Sequence, residues 1–267
     1  MSLRKIVRQC LPNSILEANR KRFAKSSSAR QAQARSELVE QQKHALFLSQ
    51  AGQDYWVYGS VFNEKTGGFF VDVGAHDGLY LSNTYILEKR YGWNGILIEA
   101  NPMTFSALRA NRNAECVNAC VSSEKETVTF ECNSTFGGIV ADDCDAKGVA
   151  TSSKLVEMET VTLESILVAA NAPQTIDYLS IDIEGAEDRA LLKFPFDKYI
   201  FTSITIERPS LQLRNLLASH DYVLVAEIPG LDCFYIHKSH QDRYFDNILK
   251  FHGKPIAFAV NMAIKSI

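Results

Sequence analysis

The densest group of side chains able to do chemistry is Asp182-Ile183-Glu184-Gly185-Ala186-Glu187, at the end of the apolar run that starts at Ile176. Alternation along an extended chain would put Asp182 and Glu184 on one face. Two carboxylates there are costly to bury without a partner or a task. Glu187 has a simple explanation, because an acid at a helix start complements the helix dipole. Asp182 does not, since it still lies within the run. Another acid, Glu207, ends the run from Phe201 and is followed by Arg208 and Pro209. Acids so placed can take a proton from a reacting group or hold a hard cation.

A second group, Asp72-Val73-Gly74-Ala75-His76-Asp77-Gly78, follows an apolar run that begins at Gly67. Gly74 and Gly78 permit a tight turn and close backbone approach to a ligand. The spacing is GxxxG, whereas a dinucleotide fold wants GxGxxG with a helix at once to hold pyrophosphate. Asp72 would repel a pyrophosphate and suits an ammonium group instead, directly or through water. Glu99 ends the next apolar run, Asn94–Ala100, and could accept hydrogen bonds from both hydroxyls of a ribose. Cys120-Val121-Ser122 could frame an adenine edge, or could be a plain strand end. These features together describe a site for an ammonium-bearing nucleoside such as S-adenosylmethionine (AdoMet). His76 has the unperturbed pKa best matched to proton transfer near neutrality, although a histidine in a glycine turn can equally be a packing residue.

The surrounding pattern alternates strand and helix signals. Buried strands are expected at 67–74, 94–100, 116–122, 176–185 and 201–207. Helices are expected at 82–90, capped by Ser82 or Asn83, from Pro102, after Gly185 and after Pro209. Residues 126–132 and 155–161 alternate as half-exposed strands around a Gly- and Asp-rich loop at 134–150. The chain 222–237 reads as a hairpin turning at Pro229 and Gly230. Strands separated by helices imply an α/β fold whose mostly parallel sheet is covered on both faces, with one antiparallel C-terminal strand. Ligands of such sheets bind at the C-terminal strand ends, where strand order reverses. The polar groups singled out above all sit at such ends.

Composition supports a protein with one sizeable core: 267 residues, 46% of them hydrophobic. No signal-peptide pattern or membrane-spanning run is present, so a cytoplasmic location is expected. The six cysteines show no zinc-type spacing and are expected to be reduced and mostly buried. Residues 1–35 hold nine basic side chains against one acid, Glu17, while the whole chain is at −3, so the body is acidic. The body therefore lacks the basic surface of a nucleic-acid binder. Residues 1–40 read as a basic arm, helical in pieces or partly disordered, ahead of a catalytic domain at 41–267. The arm could be a solvated tail, or could dock on a partner or on the inner, anionic membrane surface.

At this point the residues match a known pattern. SQAGQDYWVYGSVF (49–62), GGFFVDVGAHDGLYLSNTYILEKRYGWNGILIEANP (67–102) and DYLSIDIEGAE (177–187) resemble the FkbM family of AdoMet-dependent O-methyltransferases. The resemblance covers roughly residues 45–240. It implies a class I methyltransferase, Rossmann-like sheet of seven strands. It implies an AdoMet loop of Asp72, Gly74, Ala75, His76 and Gly78, with Glu99 on the ribose and Asp182 near the methionine part and the acceptor. Gln53 and Asp54 look like the family's lead-in segment, which could fold over the cofactor. His76 stands where many relatives have Asn.

The reaction so implied brings an acceptor hydroxyl in line with the methyl–sulfur bond, and a base or metal should help remove its proton. Candidates for the base, in order, are Asp182, Glu184, His76 and Glu207. A divalent cation on Asp182, Glu184 and Glu207 is the other option. The expected acceptor is a sugar hydroxyl of a glycan or glycolipid. Alternatives are a polyketide-type product, or a non-catalytic scaffold that keeps the fold. An NAD-dependent oxidoreductase is disfavoured by the missing GxGxxG.

Overall fold

The computed structural model describes residues 47–132, 137–146 and 154–251. The basic arm, and with it any docking role, lies outside the described residues. The chain enters through a short helix α1 (Gln53–Tyr55) that continues as a π-helical turn, Trp56–Val61. It then alternates: β1 (Phe69–Val73), α2 (Tyr85–Tyr91), β2 (Asn94–Glu99), α3 (Pro102–Asn111), β3 (Glu115–Asn118), β4 (Cys120–Val121), β5 (Thr127–Cys132), β6 (Gly138–Ile139) and β7 (Lys154–Val161). The second half is α4 (Leu163–Ala169), β8 (Thr175–Ile181), α5 (Glu187–Leu191), β9 (Ile200–Glu207), α6 (Leu211–Ser219), β10 (Tyr222–Glu227), β11 (Asp232–His237) and α7 (Gln241–Phe251). No helix among the described residues is long and apolar enough to cross a membrane.

Seven strands form one sheet in the order β10-β11-β9-β8-β1-β2-β3. β1 pairs in parallel with both β2 and β8. The chain therefore runs outward one way through β2 and β3, then returns to build the other half from β8. That reversal opens a crevice above the C-terminal ends of β1 and β8, where such sheets bind ligands. β11 is antiparallel to β9 and to β10, the single reversed strand that the C-terminal hairpin led one to expect.

Alternate residues of the central strands face opposite layers. Val71, Val73, Ile96, Ile98, Leu179, Ile181, Ile204 and Ile206 meet α4, α5 and α6 on one side. Phe70, Leu97, Tyr178, Phe234 and Ile236 meet α2, α3, α7 and the π-helical turn on the other. Both faces are covered, which is why these strands read as mainly apolar runs.

The expected third strand, 116–122, is in fact two. Asn118 is the last residue of β3 paired with β2. The Ala119 amide then donates to the Glu99 carbonyl at 3.2 Å, and β4 leaves to pair with β7. Apolar character runs through the kink and hides it. β4, β7, β5 and β6 form a second, four-stranded sheet. It packs Cys120, Val128, Phe130, Cys132, Ile139, Cys144 and Ala186 into a small core of its own. The half-exposed strands were legible at 126–132 and 155–161, but the Gly-rich segment's short strand β6 was not. The five cysteines in the described residues are free thiols, four of them buried.

Helix starts follow local chemistry. Asn101 caps α3 by accepting from the Met103 amide at 3.0 Å, with Pro102 in the first turn. Ser82 accepts from the amides of Thr84 and Tyr85 before α2, while Asn83 turns its side chain elsewhere. Arg112, just after α3, is fully buried and braces this half. Its guanidinium donates to Glu88 at 2.7 Å, to the Gly78 carbonyl and Ser82 at 3.2 Å, and to Thr84 at 3.0 Å. It also lies 5.5 Å from the centre of the Phe70 ring.

Removing a buried cation leaves its partners uncompensated. Arg112→Met should therefore destabilise the fold by about 3–5 kcal/mol, read by denaturant unfolding. A loss under 1 kcal/mol would show that Arg112 is not the brace described.

Candidate functional site

A cleft of about 310 Å³ opens at the reversal point. Its wall carries Asp72, Gly74, Ala75 and His76 from the glycine turn, Glu99 from the end of β2, and Asp182 and Glu184 from the turn after β8. Cys120, Val121, Phe130 and Ile139 of the second sheet close one side, and Gln50 and Gln53 of the lead-in segment close another. The three side chains whose convergence the sequence demanded, Asp72, Glu99 and Asp182, thus share one crevice.

The turns are locked to each other by main-chain bonds. The amides of Gly74 and Ala75 donate to the Ile98 carbonyl at 2.9 and 3.0 Å, and the Asp182 amide donates to the Val73 carbonyl at 3.0 Å. Gly74 has φ +89°, and a side chain there would fall on the Asp182 carbonyl. Only glycine lets the two turns pass this closely. Gly78 serves a different neighbour. It does not line the cleft, and a side chain there would strike Leu108 and Arg112.

Asp72 is buried, accepts a 2.6 Å hydrogen bond from Thr84, and is also bonded by Ser180. Burial pushes its carboxyl upward against these bonds and the charge of Arg112. Glu99 braces the loop as well as facing the cleft. One oxygen accepts from the His76 amide at 2.8 Å, the other from the Asn101 amide and Thr104. Its carboxyl too is raised, by burial first. His76 sits at φ +51°, with its Nδ1 3.5 Å from Asp77. Asp77 is lowered to about 2, since the His76 side chain and the amides of Tyr80 and Leu79 outweigh its burial.

Asp182 lies in a turn and not within β8, which ends at Ile181. Glu184 has φ +58°. Strand alternation therefore does not place these two acids together, contrary to the expectation; the turn does. Asp182 is open to the cleft while protein crowds its other sides. That crowding raises its carboxyl well above the usual range, and Glu207, Glu184 and Asp232 raise it further. Glu184 is pushed up to about 7 by burial, then by Glu207 and Asp145, against Arg208. Glu187 is pushed to about 7 by burial, although it accepts from the Ile183 amide at 2.8 Å. Arg208 is bound by Asp145 and Glu207.

Asp182, Glu187 and Glu207 bring three carboxylate oxygens within 4.8 Å of one another, as do Asp145, Glu184 and Glu207. All-oxygen sets of this kind suit Mg²⁺. Glu187 and Glu207 already have the partners named above, so a cation would have to compete for them.

Besides Gly78, two more expected cofactor residues stand elsewhere. Ser122 is buried away from the cleft, and its hydroxyl donates to Glu126 at 3.0 Å; the chain kink at Ala119 turns it outward. Asp54 is fully buried and ties up its own segment, accepting from the amides of Leu48 and Tyr55. Three contributors escaped the sequence reading. Asp232 and Arg112 lie far along the chain from the loops they serve. Asn83, noted only as a cap, lines the cleft. Its Nδ2 donates to Ser180 at 2.9 Å, and its Oδ1 has no partner among the described residues.

Residues 72–224 match the sequence model of the methyltransferase FkbM domain, more than half of the chain. The chain belongs to this family. No curated protein matches it. Among solved structures it is similar to the methyltransferase FkbM of Methylobacillus flagellatus, at 15% identity and TM-score 0.42, over 67% of this chain and 47% of that one. It is also similar to a TehB-like SAM-dependent methyltransferase of Corynebacterium glutamicum, at 10% identity and TM-score 0.40, over 80% and 100%. The N-terminal domain of human METTL16, in complex with SAH, shares 13% identity at TM-score 0.36, over 68% and 66%. This chain spans about half the length of the M. flagellatus protein.

The family's cofactor is AdoMet, and the residues of this FkbM domain fit it. Glu99 and Asp72 supply acceptors on the cleft wall, and the Asn83 carbonyl is an acceptor still to be matched. Buried acceptors are seldom left so.

Two outcomes follow. Gly74→Ala should abolish calorimetric binding of S-adenosylhomocysteine, because the added carbon displaces the Asp182 turn. Measurable binding at near wild-type strength would contradict the packing described. The second concerns pH. The folded protein holds protons on Glu184 and Glu187 up to about 7, against 4.5 in an unfolded chain. Their contribution is full below pH 4.5 and is lost as pH rises toward 7. Thermal unfolding of Glu184→Gln/Glu187→Gln should accordingly fall less between pH 5 and 8 than that of wild type. Parallel curves would refute this cause.

Proposed function

We propose that the protein transfers the methyl group of AdoMet to a hydroxyl oxygen, on an uncharged sugar of a glycan or glycolipid. The observation that carries this reading is Asp182: an accessible carboxylate at the cleft floor, ringed by Glu184, Glu207 and Asp232, with its proton affinity raised. A hydroxyl is a poor nucleophile until its proton has somewhere to go, and a base whose pKa lies near the working pH does this best. AdoMet supplies an electrophilic methyl carbon on a positively charged sulfur when bound. Asp182 would take the proton that the acceptor hydroxyl gives up on methylation. Glu184, at about 7, is placed to take the proton onward to solvent. Glu99 and the glycine turn hold the nucleoside half, and Gln53 and the second sheet narrow the cleft against water.

The acid-rich rim favours a neutral acceptor, because Arg208, the one guanidinium beside it among the described residues, is already held by Asp145 and Glu207. The two carboxylate triads favour a second reading of the same step, in which Mg²⁺ polarises the hydroxyl. Added chelator distinguishes the two, abolishing transfer only if a cation is needed.

The test is incubation with methyl-labelled AdoMet and fractionated cell glycans, with the labelled product identified. Asp182→Asn should lower the transfer rate by about 10²–10⁴-fold, as for loss of a positioned base, while S-adenosylhomocysteine binding changes little. A variant that transfers at the wild-type rate would remove Asp182 from the role. Label on nitrogen would refute O-methylation.

A further inference from the structure

The lead-in segment forms a knot of its own. Asp54 accepts from the amides of Leu48 at 2.7 Å, Ser49 at 3.3 Å and Tyr55 at 2.8 Å, and from the Ser49 hydroxyl. Gln53 accepts from the Ala51 amide at 2.8 Å through Oε1. Its other end, Nε2, donates to Asp232, 179 residues further along the chain. Gln53 is 3% exposed and lines the cleft; Asp232 is 6% exposed and stands behind it.

Asp232 is an expensive residue for its place. It opens β11 directly opposite Glu207 and lies within the field of Asp182. A buried carboxylate beside two others costs free energy that an apolar residue would not. Burial and Glu207 push its carboxyl up to about 6, and the Gln53 bond opposes them. The feature that an apolar residue at this position could not provide is an acceptor for Gln53. The Trp56 ring, packed edge-on against Phe234 at 5.1 Å, anchors the segment one turn later, while the Gln53 side chain is held by the Ala51 amide at one end and by Asp232 at the other.

We infer that Asp232 is a positioning residue for the cofactor cleft: it holds Gln53, and with it the 48–55 knot, in place as the wall facing the glycine turn. The inference rests on the AdoMet reading of that cleft. It makes the C-terminal hairpin part of the site, although no hairpin residue faces the nucleoside half.

The test uses the full chain with Asp232→Ala and Asp232→Asn. One readout is hydrogen exchange at the amides of residues 48–56 in the ligand-free protein. The other is the calorimetric Kd for S-adenosylhomocysteine. Asp232→Ala should speed exchange in that segment and weaken binding about tenfold, the equivalent of one hydrogen bond. Asp232→Asn keeps an oxygen for Gln53 and should restore both to within about threefold, well inside the range of one hydrogen bond. Gln53→Met should reproduce Asp232→Ala, and the double variant should be no weaker than either single one. Unchanged exchange in Asp232→Ala, faster exchange with an unchanged Kd, or an Asp232→Asn variant as weak as Asp232→Ala would each overturn the proposal. Failure of the wild-type chain to bind S-adenosylhomocysteine would overturn the cofactor reading. The exchange data need no ligand, so the two failures are told apart.

Discussion

The close crossing of two turns at the centre of the sheet governs the rest of this structure. The chain leaving β1 and the chain leaving β8 are joined by the hydrogen bond from the Asp182 amide to the Val73 carbonyl, and they approach so tightly that Gly74 can carry no side chain. This contact puts Asp182 at the floor of the cleft. It also fixes the glycine turn, whose other side is held by Glu99 through the His76 amide. The two turns are joined across the adjacent ends of β1 and β8, and the glycine turn is held further by the Ile98 carbonyl of β2.

Charge is then arranged unequally around the crossing. On the β2 side, the acids have donors: Asp72 has Thr84 and Ser180, Glu99 has two amides and Thr104, and Glu88 has Arg112. On the β9 side, Asp182, Glu184, Glu187, Glu207 and Asp232 crowd together with Arg208 as the nearby cation. On the first side the carboxylates are held in place by these donors. On the second, burial and mutual repulsion raise the carboxyl groups of Asp182, Glu184, Glu187 and Asp232. Burial and partners thus differ across one cleft.

The second sheet and the lead-in segment finish the walls of the cleft. The first contributes Cys120, Phe130 and Ile139 and the second Gln50 and Gln53. Both are tied to the main sheet by few polar contacts, Gln53 to Asp232 and the Asp145 amide to the Glu184 carbonyl among them.

Much of this was legible in the amino-acid sequence, and for a physical reason. Strands buried on both faces must be apolar throughout, so β1, β2, β8 and β9 announce themselves, and a ligand loop at a strand end must put its glycines and acids just beyond that run. Asp72, Gly74, Glu99 and Asp182 were found in this way, as was the hairpin from its Pro-Gly turn. Pairing between distant segments was not legible, because it depends on which surfaces meet and not on local pattern. Only the folded chain shows that β4 leaves the main sheet and carries Ser122 away from the cleft, that Asp54 knots its own segment, and that the Asp182–Glu184 pair is set by a turn. The same holds for Arg112 and Asp232, each a single charged residue in unremarkable surroundings. Burial beside a partner far along the chain gives each its role, and tertiary structure alone supplies that partner.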